Sequence, residues 1–104
     1  MDLSGSQLVG IYLRGANLQG ANLQGVNVCK DHTGWVSTSG GEPVNADLRS
    51  VNFTDANLSD ADLRTAYLAG ATFTGTNLSR TDLRDVEVSG IDLSEAILDD
   101  AIFD

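Results

Sequence analysis

Apolar side chains in this chain recur at every fifth position. All thirteen leucines and all three phenylalanines stand at positions that leave remainder three on division by five, from Leu3 and Leu8 through to Leu98 and Phe103. On an α-helix five residues turn by about 500°, so such residues would drift around the cylinder by about 140° at each step and form no face. On a continuous strand an odd spacing would send successive leucines to opposite faces. The pattern is satisfied when the chain turns a corner once per unit, so that each pentapeptide is one side of a coil and its central residue points to the axis. A short unit of this kind cannot bury its own apolar residue and must stack on its neighbours, which predicts a β-helix-like solenoid.

The other four slots agree. Two residues before the centre stands a small side chain, as in Ala16, Ala21, Ala46, Ala56, Ala61 and Ala66, as a second inward position in a narrow tube requires. One before the centre comes Asn or Asp, as in Asn17, Asn22, Asp47, Asn52 and Asp62, residues that bond to nearby backbone groups and favour turns. Two after the centre, Gly5, Gly15, Gly20 and Gly70 mark a corner that wants positive φ. Ser50, Asp55, Asp60, Thr65, Arg80, Asp85, Glu95 and Asp100 hold the same slot, and a different turn type is expected there. The slot two before the centre is larger over Thr76, Thr81, Val86 and Ile91, where the tube is expected to widen or lose regularity.

Written Ala-Asn-Leu-Gln-Gly in residues 16–20 and Ala-Asp-Leu-Arg-Thr in residues 61–65, the unit resembles the repeat of the pentapeptide repeat family, over residues 1–30 and 46–104. The resemblance implies an all-β fold, a right-handed quadrilateral β-helix with four units per coil and about four and a half coils. Residues twenty apart should then stack, Phe53 on Phe73 among them. The whole chain, residues 1–104, reads as a single pentapeptide repeat domain.

Between Val28 and Leu48 the pattern fails, because continuation would put Thr33, Thr38 and Pro43 at the axis. Residues 31–45 read as a loop projecting from the coil. It holds the chain's one His, one Trp and one Pro (His32, Trp35, Pro43), and the single Cys and Lys (Cys29, Lys30) sit at its launching turn. Loops of this length inside a compact domain are usually functional or mobile. Lys30, His32, Trp35 and Glu42 are the candidate partner-binding residues, set against the plainer reading of a tolerated surface insertion. Fifteen residues also preserve the five-residue register.

Charge adds a polarity to the rod. The 104 residues carry a formal net charge of −9, which disfavours direct binding of nucleic acid or an anionic membrane and favours basic partners. Asp2 against Arg14 and Lys30 leaves residues 1–30 at +1, while residues 31–81 hold −3 and residues 82–104 hold −7. No apolar run approaches the ~20 residues that span a bilayer. The opening Met1-Asp2-Leu3-Ser4-Gly5 already carries the repeat and lacks a basic, then apolar, leader, so a cytoplasmic location is expected.

Reactive chemistry is sparse. Cys29, Asp31 and His32 form the one cluster with such character; one Cys and one His fall short of a four-ligand zinc site, and a Cys-His nucleophile needs a pocket that a filled tube does not supply. No metal, cofactor or catalytic residue is expected, and the chain reads as a non-enzymatic protein-interaction module working through its loop and acidic faces. The family resemblance implies an alternative. The best-understood members of that family look like DNA and bind type II topoisomerases, protecting them from quinolones, so a DNA-mimicking modulator of DNA gyrase with a basic nucleic-acid-binding enzyme as partner is the second reading. B-DNA carries one charge per ~1.7 Å, a density of the order this rod offers. Ile97 and Ile102 stand in the outward slot usually given to Asn or Asp, and the repeat runs on to Phe103. An uncapped coil exposes apolar surface and unpaired edges, so these three residues are the expected interface of a homodimer through the C-terminal coil.

Overall fold

The computed structural model describes residues 2–8, 11–28, 46–87 and 90–103. Most units contribute parallel β-bridges at the outward residue, and the bridges set the register. Asp2 pairs with Asn22, Gln7 with Asn27, Asp47 with Tyr67 and Asp62 with Asp82, all twenty residues apart. Across the insertion the spacing becomes thirty-five, as in Tyr12 with Asp47 and Asn27 with Asp62. The excess of fifteen is the length of residues 31–45, so the coil resumes after the insertion on the side it would have reached without it. The result is an all-β solenoid with four units to the turn.

Numbering the sides in chain order, side 1 stacks Asp2, Asn22, Asn57, Asn77 and Ile97 at its outward position. Side 2 stacks Gln7, Asn27, Asp62, Asp82 and Ile102, side 3 Tyr12, Asp47 and Tyr67, and side 4 Asn17, Asn52 and Thr72.

Four backbone hydrogen bonds recur in most units: the outward N–H donates back to the preceding coil, as Asn52 does to the Ala16 carbonyl at 3.0 Å, and three more accompany it. The central N–H donates to the outward carbonyl one coil on, as Leu18 does to Asn52 at 2.9 Å; the corner N–H donates likewise, as Asp55 does to Thr74 at 2.9 Å. The fourth closes the corner itself, from the residue after it back to the central carbonyl, as in Ala21 to Leu18 at 3.0 Å. A four-residue turn with positive φ at its third residue is the geometry of a type II turn, which favours glycine there.

The expected change of turn at corners lacking glycine does not occur in the sign of φ. Ser50, Asp55, Asp60, Thr65, Arg80, Asp85 and Asp100 all adopt φ between 56° and 65°, beside 69° to 82° for the corner glycines, and only Glu95 departs. At Ser50, Asp55, Asp60, Thr65 and Arg80 the physical reason is the ladder: the corner N–H is held by the next coil and the corner is closed by its own hydrogen bond, so the conformation is imposed whatever side chain is present.

Inside, the central residues of the middle coils are fully buried, Phe53, Leu58, Leu63 and Leu78 among them, with alanines and valines between them. Phe53 and Phe73 stack with ring centroids 5.3 Å apart and planes 15° from parallel, as the twenty-residue register requires. Around Leu18, Leu23, Val28 and Leu48 the interior leaves a void of about 10 Å³, no more than a single water would need.

Thr76 and Thr81 are accommodated without widening. Both are fully buried, and their Oγ1 atoms donate to the carbonyls of Phe53 and Leu58 at 2.7 and 2.8 Å, so no hydroxyl is left unsatisfied. Regularity is lost one side later. Val86 and Ile91, each bulkier than the alanine the slot prefers, are only half-buried, and among the described residues no bridge joins Thr72 to Asp92. Gly75 N–H reaches the carbonyl of Glu95 at 2.9 Å instead of that of Ser94, a shift of one residue. A cleft of about 210 Å³ opens on side 4, lined by Ala71, Thr72, Phe73, Thr74, Asp92 and Glu95.

Candidate interaction surfaces

With the axis filled, chemistry can be offered only on the outside, and the outward Asn and Asp residues are held there by local bonds. The Oδ1 of each accepts the N–H two residues on: Asn17 from Gln19 at 3.1 Å, Asn52 from Thr54 at 3.0 Å, Asp92 from Ser94 at 2.9 Å. Such bonds fix the side chain against its own backbone and favour the ionised carboxylate. Asp92 is lowered by the hydroxyl and the N–H of Ser94, and Asp2 by the N–H and hydroxyl of Ser4.

Arginine adds to this on sides 2 and 3. Asp47 receives Arg49 Nε and Nη2 at 2.9 and 2.8 Å, and the guanidinium, with the N–H of the same residue, pulls its carboxyl down to about 2. The same fork joins Arg64 to Asp62 and Arg84 to Asp82. Arg64 also approaches Asp82, one coil on, at 3.6 Å. Arg80 bridges to Asp60 across stacked corners at 2.7 Å and holds that carboxyl low as well. Much of the acid between residues 47 and 84 is therefore locally neutralised, and the excess negative charge is carried by the last coil, with Asp99 and Asp100 exposed there.

Ile97 and Ile102 are 47% and 45% exposed, on the outward positions of sides 1 and 2. Both are locked into the ladder, donating to Thr76 and Thr81 carbonyls at 2.9 Å, and Phe103 beside them is 42% exposed. The three candidate residues are thus each partly exposed, with Ile97 and Ile102 on adjacent sides of the coil. Lys30, His32, Trp35 and Glu42 lie outside the described residues.

A further surface escaped the sequence reading. On side 3, Tyr12 is 70% and Tyr67 48% exposed, stacked one coil before and one coil after Asp47, which is only 7% exposed. The Arg49 guanidinium lies 5.4 Å from the Tyr67 ring centroid, within cation–π range. Subtracting the fifteen-residue insertion and then aligning residues twenty apart puts 12, 47 and 67 in one column, which is the signal that would have found it.

Among the described residues no group of three or more His, Cys, Asp or Glu side chains is placed to hold a metal ion, and no helix is long and apolar enough to cross a membrane.

Comparison with curated proteins gives no match. Solved structures give several. A pentapeptide repeat protein from the thylakoid lumen of Arabidopsis thaliana superposes with a TM-score of 0.68 at 24% identity, over 96% of this chain and 56% of that one. Two trypsin-treated forms of QnrB1, a plasmid-mediated fluoroquinolone resistance protein, superpose with a TM-score of 0.52 at 20% identity, over 99% of this chain and 60% and 58% of theirs. This chain thus spans little more than half the length of these neighbours, and at such identities the likeness is one of fold. The family model for pentapeptide repeats matches residues 2–30, 46–85 and 61–100, in eight copies. Those spans cover most of the chain and leave out the segment where the five-residue pattern stops, so the chain belongs to the pentapeptide repeat family.

Proposed function

We propose that this chain is a non-enzymatic interaction module that presents carboxylates and a projecting loop to a basic protein partner. The observation that supports this best is the filled axis: an interior void of about 10 Å³ leaves no room for a substrate, while Asp2, Asp47, Asp82 and Asp92 are held towards the carboxylate at fixed positions. Residues 1–104 are taken as a single domain, a right-handed coil of about four and a half turns located in the cytoplasm. Lys30, His32, Trp35 and Glu42 form the loop contact, and Ile97, Ile102 and Phe103 the interface of a homodimer. No cofactor is involved.

The alternative partner is DNA gyrase or another type II topoisomerase, approached as a DNA mimic. The fold shared with QnrB1 and the stacking of carboxylates such as Asp62 and Asp82 in one column favour it. The arginine forks on Asp47, Asp62 and Asp82 weigh against it, because they neutralise what a phosphate column would display. A supercoiling assay run with and without a quinolone separates the two. Inhibition of supercoiling or relief of the drug supports mimicry; no change in either, together with a partner retained by the full chain and lost on deletion of residues 31–45, supports the loop-borne module.

A further inference from the structure

Arginine on the outer surface of this coil has a habitual partner. Residues 47–49, 62–64 and 82–84 each read Asp-Leu-Arg. In all three the guanidinium folds back over two residues and closes a two-bond fork on the carboxylate, with N···O distances of 2.7 to 2.9 Å. Residues 12–14 read Tyr-Leu-Arg. They occupy the same slots on side 3, directly stacked on residues 47–49, with Leu13 N–H donating to Asp47 and Gly15 N–H to Arg49 at 2.9 Å.

Arg14 is therefore an arginine in the fork position whose carboxylate has been replaced by a tyrosine. Its side chain is exposed, and among the described residues it makes no ion pair. It acts on Asp47 through its field alone, Asp47 being already engaged by Arg49. The ring of Tyr12 and, two coils on, that of Tyr67 stand out from the same side.

We propose that side 3 is a docking surface for an acidic protein segment, a partner's carboxylate taking the place beside Arg14 that aspartate fills in the other three units. Tyr12 and Tyr67 supply apolar contact on either side of the Asp47–Arg49 fork. A guanidinium recognises a carboxylate through two parallel charge-assisted bonds, and the same molecule forms that pair three times over. Charge complementarity is local. Residues 1–30 sum to +1, and the −7 of residues 82–104 begins three stacked layers from Arg14, about 14 Å and beyond the ~8 Å screening length of physiological salt, though one layer beyond Tyr67. A long polyanion such as nucleic acid laid along the rod would run onto that acidic end, but a short peptide would not. This surface is independent of the loop and of the basic partner proposed above.

Fluorescence anisotropy of a fluorescein-labelled peptide alternating glutamate and alanine, titrated with the full chain, tests the assignment. Binding is expected to weaken with added salt and to be absent for the glutamine counterpart. Arg14→Gln weakens it by about tenfold, the loss expected for a charge-assisted pair. Arg84→Gln, which changes the net charge equally on side 2, leaves it intact. Tyr12→Asp builds a fourth fork and abolishes binding without lowering the melting temperature, while Tyr12→Asn, which loses the ring and makes the local turn bond without adding a carboxylate, weakens it only in part. The proposal is overturned by equal binding of the glutamate and glutamine peptides, by equal losses in the two arginine variants, or by a Tyr12→Asp variant that binds like the parent. Tighter binding of a single-stranded oligonucleotide also overturns it, and so does self-association abolished by Arg14→Gln, which would make the occupant a second copy.

Discussion

Asp47 shows what the outward slot asks of a side chain. One oxygen accepts the N–H of Arg49 at 3.2 Å and its Nε at 2.9 Å, and the other accepts Nη2, so ionisation adds a charge-assisted arginine fork to a turn bond that a neutral amide also makes. The Arg49 guanidinium, followed by the backbone bond, lowers its carboxyl to about 2. Because the folded value lies below the unfolded one of about 3.9, the unfolded chain takes up the proton first. The stabilisation is therefore complete above about pH 5 and is lost as pH falls through about 4 towards 2. Asp2, Asp60, Asp82 and Asp92 shift in the same direction and steepen the slope. Thermal melts at constant ionic strength should show a falling melting temperature across that window, and Asp47→Asn should flatten it; an unaltered slope would mean that this carboxylate titrates alike in both states. The bonding role of the outward Asn and Asp was legible from their slot, since a short acceptor before a corner has few other uses. The partners were not: the slot reveals only that a residue faces out, and whether Tyr12 meets Tyr67 across Asp47 depends on which residues the coil stacks.

At the level of one side and its corner, five slots were readable and one inference from them was not. The corner was expected to change type where glycine is missing, yet Thr65 keeps φ at 65°, a β-branched residue in the left-handed region. Its N–H is held by Arg84 at 3.3 Å and its Oγ1 donates to the Arg64 carbonyl at 2.6 Å. Neighbouring coils impose the turn, and the side chain bears the strain. Left-handed backbone costs a residue with a Cβ roughly 1–2 kcal/mol, and glycine returns about 0.5–1 kcal/mol of that through the freedom it loses on folding. Thr65→Gly should then raise stability by about 0.5–1 kcal/mol in denaturant unfolding, and a loss of stability would show that the hydroxyl bond outweighs the strain. The reverse exchange at Gly75 should destabilise, because an added Cβ would meet Asp55 Oδ1 from the stacked corner. Irregularity was correctly expected in the slots at 76, 81, 86 and 91 but fell only on the last two. The threonine hydroxyls find carbonyls, and valine itself fits the slot where the coil is regular, since Val26 and Val51 are fully buried there, so side-chain size alone does not account for the lapse at Val86 and Ile91.

The whole molecule is a filled tube of graded charge, and this is why its architecture could be read from periodicity while its activity could not: a repeat records what must stack, and the stack closes over the positions where a pocket would have formed. What varies freely lies outside, in single departures such as Tyr12 for Asp or Ile97 and Ile102 for Asn. Those two isoleucines and Phe103 expose apolar surface on the edge that also carries −7 over residues 82–104, and the two properties oppose each other in a C-terminal dimer. Burying the edge against its symmetry mate gains at about 25 cal/mol per Å² of apolar surface, while bringing the two acidic ends together costs repulsion that salt screens over a Debye length of ~30 Å at 0.01 M and ~3 Å at 1 M. The dimer proposed for this end should therefore be favoured by salt, the inverse of an association held by ion pairs. Light scattering at fixed protein concentration should show mass rising from monomer towards dimer as salt increases. Ile97→Asp with Ile102→Asp should hold the chain monomeric throughout, since each adds a charge where an apolar contact was lost. Both positions face outward from an intact ladder, so the double variant should keep the melting behaviour of the parent monomer. A chain that stays monomeric at every salt concentration would leave the edge without this partner, and a dimer that dissociates as salt is raised would place the contact elsewhere on the rod.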